Sequence, residues 1–410
     1  MASDFEKLTK TIDGYKKDVI ELQRLLTSIP ALAPENDGDG ESNKAEALKD
    51  YLVGLRFPEP ERYDAPDQRV SSKVRPNMIY RFPGEDDSRT VYIMSHLDIV
   101  PPGDPNKWQS DPFELKVDGD KLIGRGVEDN QHGLVASVMA VKALTELGLK
   151  PKYNVGLIFV ADEEVGSTYG IDHLLEKQNI LGKQDLIIVP DSGDEEGKTI
   201  EIAEKSICWL KVETTGRQCH ASRPDQGINA FAAASKLAAK IHALYNVFDF
   251  KDKLFNPPMS TFEPTKKEAN VPNINTIPGD DVFYIDCRVL PKYRLDEIEE
   301  TIKKWAGEIE ISENVKINIS HSQRAEAAPP TKEDSPVVQA LMRAIKTIYK
   351  VDPEVCGIGG GTVAALFRRK GYPAAVWSRI SESAHQPNEF THISNILGDA
   401  KVMAHVFMKG

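Results

Sequence analysis

Two hydrophobic spacings alternate along this chain. From Phe5 to Leu26 the apolar positions Leu8, Ile12, Tyr15, Val19, Ile20, Leu22 and Leu26 repeat as one helix face, and Pro30 and Pro34 close it. A polar loop from Glu35 to Asn43 leads into a second short helix carrying Ala45, Leu48, Tyr51 and Leu52. The spacing then changes. Thr90 to Ser95, Asn154 to Ala161 and Asp185 to Val189 are nearly unbroken apolar runs, the pattern of strands buried on both faces. Between and after them, Asn130 to Leu147 places Leu134, Val138, Val141, Leu144 and Leu147 on one side of a helix, and Ile171 to Gln178 is helical as well. Strand–helix alternation of this kind predicts an α/β fold, a mostly parallel sheet flanked by helices.

Near Ser206 the pattern changes again. Cys208 to Glu213 alternates like an antiparallel strand, and an alanine-rich helix follows from Ala230 to Tyr245. Asp281 to Val289 (strand), Leu295 to Ala306 (helix) and Val315 to His321 (strand) suit a small α+β domain with helices on one face. Ala325 to Pro330 forms a linker out of it. The helices Val337 to Tyr349 and Ile393 to Phe407, with the strand Ala374 to Trp377 between them, return the chain to the first sheet. The expected organisation is a catalytic domain in two parts, 1–205 and 325–410, with an inserted domain at 206–324.

With 410 residues, 40% of them hydrophobic, the chain can build more than one core, since single cores stop growing at roughly 250–300 residues. The net charge of -12 argues against nucleic acid as a partner. Met1 to Lys17 lacks the basic start and apolar stretch of a signal peptide, and no apolar run approaches the ~20 residues of a membrane helix. Cys208, Cys219, Cys287 and Cys356 are too widely spaced for a CxxC motif or a dense disulfide framework. A cytoplasmic protein with reduced thiols is the expectation.

The chemistry gathers where the strands end. Val91 to Met94 runs into Ser95 and His96-Leu97-Asp98; Val155 to Ala161 runs into Asp162-Glu163-Glu164; Leu186 to Val189 runs into Pro190-Asp191. In open α/β sheets, ligands bind just outside the carboxyl ends of the strands. On a strand side chains alternate, so His96 and Asp98 point to the same side and the carboxylate could orient the ring; a pair that merely satisfies a strand end is the plain alternative. Asp129 follows the tight loop Gly124-Arg125-Gly126 and could be a ligand or the cap of the next helix. Three successive carboxylates at 162–164 repel one another unless a cation compensates. Asp191 alone is equally a turn residue, and His385 lies in a polar loop. Imidazole and carboxylate without thiolate suit zinc, with cobalt or manganese as substitutes.

His96-x-Asp98, Gly124-Arg125-Gly126-x-x-Asp129, Asp162-Glu163-Glu164-x-Gly166-Ser167, Pro190-Asp191 and Ala384-His385 together resemble the co-catalytic zinc exopeptidase and deacylase family. That family includes glutamate carboxypeptidase, acetylornithine deacetylase and succinyl-diaminopimelate desuccinylase. The motifs occur in family order over nearly the whole chain. The resemblance implies two divalent ions bridged by Asp129, with His96 and Asp191 completing one site and Glu164 and His385 the other. Glu163 would be the general base and Asp98 would orient His96. It also implies a cis peptide at Asp129-Asn130. Two such metals could activate a shared water and polarise an amide carbonyl, with Glu163 carrying the proton to the leaving amine.

The inserted domain carries further likenesses. Thr215 to Pro224 resembles a lid segment whose histidine, here His220, would reach the partner's site in a homodimer and stabilise an oxyanion. Asn275 and Arg288 resemble substrate-holding lid residues, Arg288 by pairing with a carboxylate. Gly360, Gly361 and Thr362, before a helix, resemble a loop that contacts the substrate carboxylate. Many relatives carry Lys-Gly soon after the bridging Asp, where this chain has Asn130-Gln131-His132-Gly133; others carry Asp after the Gly-Gly-Thr loop, where this chain has Val363. His132 reads as structural. The expected activity is hydrolysis of an N-acyl amino acid of desuccinylase or deacetylase type. A dipeptidase or carboxypeptidase using the same residues is the alternative, and a non-catalytic binding protein on the same fold is the reading of a different class.

Overall fold

A computed structural model describes residues 3–177 and 180–410. The chain forms two compact units: one of Met1–Ile202, Pro330–Cys356 and Val363–Gly410, the other of Ala203–Pro329 and Gly357–Thr362.

The first unit is built on an eight-stranded sheet. In spatial order the strands are Glu61–Arg62, Met78–Phe82, Tyr153–Val160, Asp86–His96, Leu186–Val189, Ala374–Val376, Thr199–Glu204 and Glu354–Ile358. The four strands from Tyr153–Val160 to Ala374–Val376 run parallel. Met78–Phe82 and Thr199–Glu204 join them antiparallel. The parallel centre is apolar on both faces, with Val91, Ile93, Leu157, Ile158, Ile187 and Ile188 fully buried. The helix Gln131–Leu147 packs against Ile393–Lys409 and against the amino-terminal helices.

Several boundaries differ from the periodicity. The single helix expected from Phe5 to Leu26 is two, Asp4–Asp13 and Lys16–Thr27, interrupted at Gly14, a weak helix former. The helix expected over Ile171 to Gln178 spans Ile171–Leu175, and Gln178 lies outside the described residues. Helix Gln131–Leu147 has Asn130, not Asp129, at its cap position, which leaves the Asp129 carboxylate for other partners.

In the second unit, the sheet order is Thr261–Lys267, Asp280–Val289, Ser206–Thr215 and Lys316–Ala325, all antiparallel. Helices Ala230–Ile241 and Leu295–Glu313 cover one face. Leu295–Glu313 runs well past the expected Ala306 because Ile309 remains buried. The segment 357–362 was expected in the second part of the catalytic domain; it packs with the inserted unit instead. Lys205 N–H donates to Ile358 O at 2.9 Å, Arg288 Nη1 to Gly359 O at 2.9 Å, and Thr362 Oγ1 to Glu204 Oε1 at 2.7 Å.

Candidate metal centre

The parallel register sets His96 beside Val160, so the strand tips emerge side by side. His96 is buried, and its Nε2 lies 2.9 Å from Asp129 Oδ1 and 3.3 Å from Asp191 Oδ1. His385 Nε2 lies 2.9 Å from Asp129 Oδ2 and 3.1 Å from Glu164 Oε2. Each oxygen of Asp129 therefore faces a different histidine. Donor atoms of His96, Asp129 and Glu164 lie within 4.8 Å of one another, as do those of His96, Glu163 and Asp191. The peptide Asp129-Asn130 is cis.

Neighbouring acids point apart because the chain leaves the strand. Asp162 adopts the left-handed conformation (φ 68°) and opens a short 3-10 turn, Glu163–Val165. Its carboxylate accepts Tyr169 N–H at 2.8 Å and meets Arg75 Nη1 at 3.3 Å, while Glu163 and Glu164 face the histidines. Asp98 accepts the backbone N–H groups of Glu163 (3.1 Å) and Glu164 (2.9 Å), holding that turn. His96 Nδ1 approaches the main-chain oxygen of Asp98 at 3.0 Å, nearer than the carboxylate at 3.4 Å. The strand ends at His96, and the Asp98 carboxylate still stands beside the ring nitrogen that faces away from Asp129.

The local fields follow from this crowding. Burial, then the Asp191 charge, push the Glu163 carboxyl well above the usual carboxylate range. Burial opposes protonation of His96, but Asp129 and Asp191 outweigh it and raise its pKa. Contacts with Asp129 and Glu164 raise His385 to about 10. Five acids and two imidazoles in mutual contact or coupled by charge (Asp98, Asp129, Glu163, Glu164, Asp191, His96, His385) form a donor set that divalent cations would relieve. Nitrogen and oxygen donors without thiolate fit zinc, cobalt or manganese.

A supporting layer was not apparent in the sequence. Glu389 accepts N–H from Gly126, Glu128 and Asp129 at 2.9–3.1 Å and pairs with Arg125 at 2.5 Å. Glu128 binds the loop ahead of His385 through Ser381 N–H and Ser383 N–H, each at 2.5 Å, and the Ser383 hydroxyl at 2.8 Å. Asn130 Nδ2 donates to Pro190 O and Asp191 Oδ1, both at 2.7 Å. A Cβ at Gly133 would meet Pro190 Cγ at 2.4 Å, so glycine there permits the approach. Lys44 is 1% exposed and its Nζ has no hydrogen-bond partner among the described residues. Burial lowers it to about 8 against the opposing charges of Asp98, Glu41 and Glu389. Its signal was its place on the Leu48–Tyr51–Leu52 stripe, where a lysine is out of pattern.

The remaining candidates lie in the second unit. His220 is exposed on a two-residue strand paired with Thr276–Ile277, and its Nδ1 meets Ser222 Oγ at 2.8 Å. Asn275 O accepts Ala221 N–H at 2.9 Å. The Arg288 fork is held by Asp286 at 2.7 and 3.1 Å and its third nitrogen by Gly359 O. Gly360 is half-buried and Gly361 exposed.

Residues 92–409 match the model of peptidase family M20/M25/M40. The chain belongs to that family. It is an M20 hydrolase acting on amide bonds. An uncharacterized metallohydrolase of Methanococcus maripaludis is 43% identical over 407 residues, covering 94% of this chain and 97% of that protein. Succinyl-diaminopimelate desuccinylase of Nautilia profundicola is 27% identical over 378 residues, covering 91% and 94% respectively. The fold matches the crystal structure of aminopeptidase PepT from Bacillus cereus with a TM-score of 0.75 at 18% identity, covering 96% of this chain and 98% of that one. No helix among the described residues of the M20 hydrolase is long and apolar enough to cross a membrane.

Proposed function

We propose that this M20 hydrolase cleaves the amide bond of N-acyl amino acids bearing a free carboxylate, with a succinyl or acetyl group on the nitrogen. The observation that carries the reading is the division of Asp129, one oxygen toward His96 and the other toward His385. His96 and Asp191 would hold one divalent cation and Glu164 and His385 a second, with Asp129 shared. Bound there, the cations supply Lewis acidity, which activates water and polarises the amide carbonyl. Glu163 takes the proton of the attacking water and returns it to the leaving nitrogen. Asp98 and Glu389 keep the ligand-bearing turns in register through their backbone N–H bonds.

The likeness to a desuccinylase over most of the chain supports the acyl-amino-acid substrate. In the inserted unit, Arg288 and the Gly360-Gly361-Thr362 loop would receive the substrate carboxylate, and Asn275, on the His220 lid segment, would hold another part of the substrate. His220 would act across a homodimer on the oxyanion. The test is apoprotein reconstituted with zinc, cobalt or manganese and offered N-succinyl and N-acetyl amino acids alongside dipeptides. Hydrolysis of the acyl amino acids is expected. Turnover of dipeptides alone would replace the deacylase reading with a dipeptidase, and no turnover with any metal would favour a binding protein. Light scattering of the active enzyme as a strict monomer would remove His220 from the reaction.

A further inference from the structure

A second set of metal-type donors lies inside the inserted unit, apart from the residues assigned to hydrolysis. Cys208 on strand Ser206–Thr215, Glu299 on helix Leu295–Glu313 and His321 on strand Lys316–Ala325 place a sulfur, a carboxylate oxygen and a ring nitrogen within 4.8 Å of one another. We propose that Cys208, Glu299 and His321 form a separate binding site for a thiophilic divalent ion such as zinc, with water as the fourth ligand.

The donor set has the right chemistry. Thiolate, imidazole and carboxylate together are zinc and cobalt ligands, and three protein donors leave one position of a tetrahedron open. Bonds of about 2.0–2.3 Å place tetrahedral ligands roughly 3.3–3.8 Å apart, so the three atoms need to close by only about 1 Å. Cys208 and Glu299 are buried, while the His321 side chain is 41% exposed on the edge strand, giving an ion access from solvent.

Three side chains, His321 among them, already contact the Glu299 carboxylate. Glu299 Oε1 meets Arg324 Nε at 2.8 Å and His321 Nε2 at 3.0 Å, and Lys303 Nζ stands 3.4 Å from Oε2. Arg324 also pairs with Asp296 at 2.6 Å and Glu326 at 3.3 Å, so it stays compensated when Glu299 turns to an ion. Lys303 is on the surface. The neutral His321 tautomer protonated at Nδ1 presents its Nε2 lone pair to the site. Burial holds the Cys208 thiol up at about 12; binding displaces that proton to solvent and the sulfur bonds the ion as thiolate. The bound ion would tie the covering helix to the edge strand.

Cobalt substitution separates this site from the hydrolytic centre, whose candidate ligands include no sulfur. Titration of the full-length protein with Co2+ is expected to give a near-ultraviolet thiolate-to-cobalt charge-transfer band. The band should be lost in Cys208→Ser and at least tenfold weaker at matched Co2+ in His321→Ala, with hydrolysis unchanged in both. The His321 variant alters an exposed edge residue and serves if the buried serine impairs folding. Absence of the band at saturating Co2+, or a band that survives Cys208→Ser or disappears instead in Cys287→Ser, would overturn the assignment.

Discussion

The Glu389 carboxylate accepts the backbone N–H of Asp129 at 3.1 Å across 260 residues of sequence. The same carboxylate neutralises the buried Arg125, so one side chain both fixes the Asp129 loop and balances a buried cation. Glu389→Ala leaves that arginine uncompensated and is expected to destabilise the protein by about 3–5 kcal/mol. Urea unfolding of the two proteins measures it; Glu389→Gln, which keeps an acceptor, should lose less. Equal stability of Glu389→Ala and the parent would contradict the role.

Glu163→Gln keeps the size of the side chain and removes its basicity. It is expected to bind metal with the parent stoichiometry and to lose roughly 10²–10⁴-fold in turnover, the scale of a general acid–base contribution. Metal analysis paired with kcat on one preparation checks both halves. Near-parent turnover would reject Glu163 as the base.

Asn130 Nδ2 anchors the Asp191 turn, with bonds of 2.7 Å to the Asp191 carboxylate and to Pro190 O. Loss of a group that orients a ligand typically costs 10–100-fold in metal affinity. Asn130→Ala should show a drop of that size in a competitive chelator titration, with folding retained.

His132 lies on the same helix start, and its ring is bonded away from the candidate donors. Its ring bonds Thr391 Oγ1 at 2.7 Å and Asp399 Oδ2 at 2.9 Å, and Asp399 also accepts Tyr349 and Ser378. His132→Ala strands these buried groups and is expected to lower stability by at least about 2 kcal/mol while leaving metal stoichiometry unchanged. A loss of bound metal in the folded variant would place His132 in the centre.

Asp67 gives a pH signature of its own. The Arg69 guanidinium, bonded at 2.8 and 2.9 Å, holds its carboxyl down at about 2. An unfolded aspartate titrates near 4, so the native state favours the ionised form. The contribution is present above about pH 4 and fades as pH falls through about 2. Because Arg69 is partly exposed, about 1 kcal/mol is expected. Urea unfolding from pH 7 to pH 2.5 should show Asp67→Asn weaker than the parent at neutral pH and converging with it in acid. A constant difference across that range would exclude the ion pair as the source.

Much of the clustering of candidate donors was readable because parallel strands leave a simple trace. Apolar runs ending in His96, Asp162–Glu164 and Pro190-Asp191 announce strand tips, and tips of adjacent parallel strands share one edge. Strands Met78–Phe82 and Thr199–Glu204 leave no such trace, because arginine, threonine and glutamate interrupt their apolar positions. The hold of Asp98 on the backbone of Glu163 and Glu164 was not legible, because it joins residues 65 and 66 positions apart.

By itself the sequence determined the types of the strongly periodic elements, the parallel centre of the sheet, the change to an antiparallel unit near Ser206 and the residue types available for chemistry. These depend on the order of side chains along short stretches, where period and burial are coupled. Tertiary structure alone decided which oxygen of Asp129 faces which histidine, that Glu389 and Glu128 bind the ligand loops, that Lys44 is buried, and that Gly357–Thr362 packs with the inserted unit. Those relations join residues far apart in the chain through single hydrogen bonds and shared burial, and no local period encodes them.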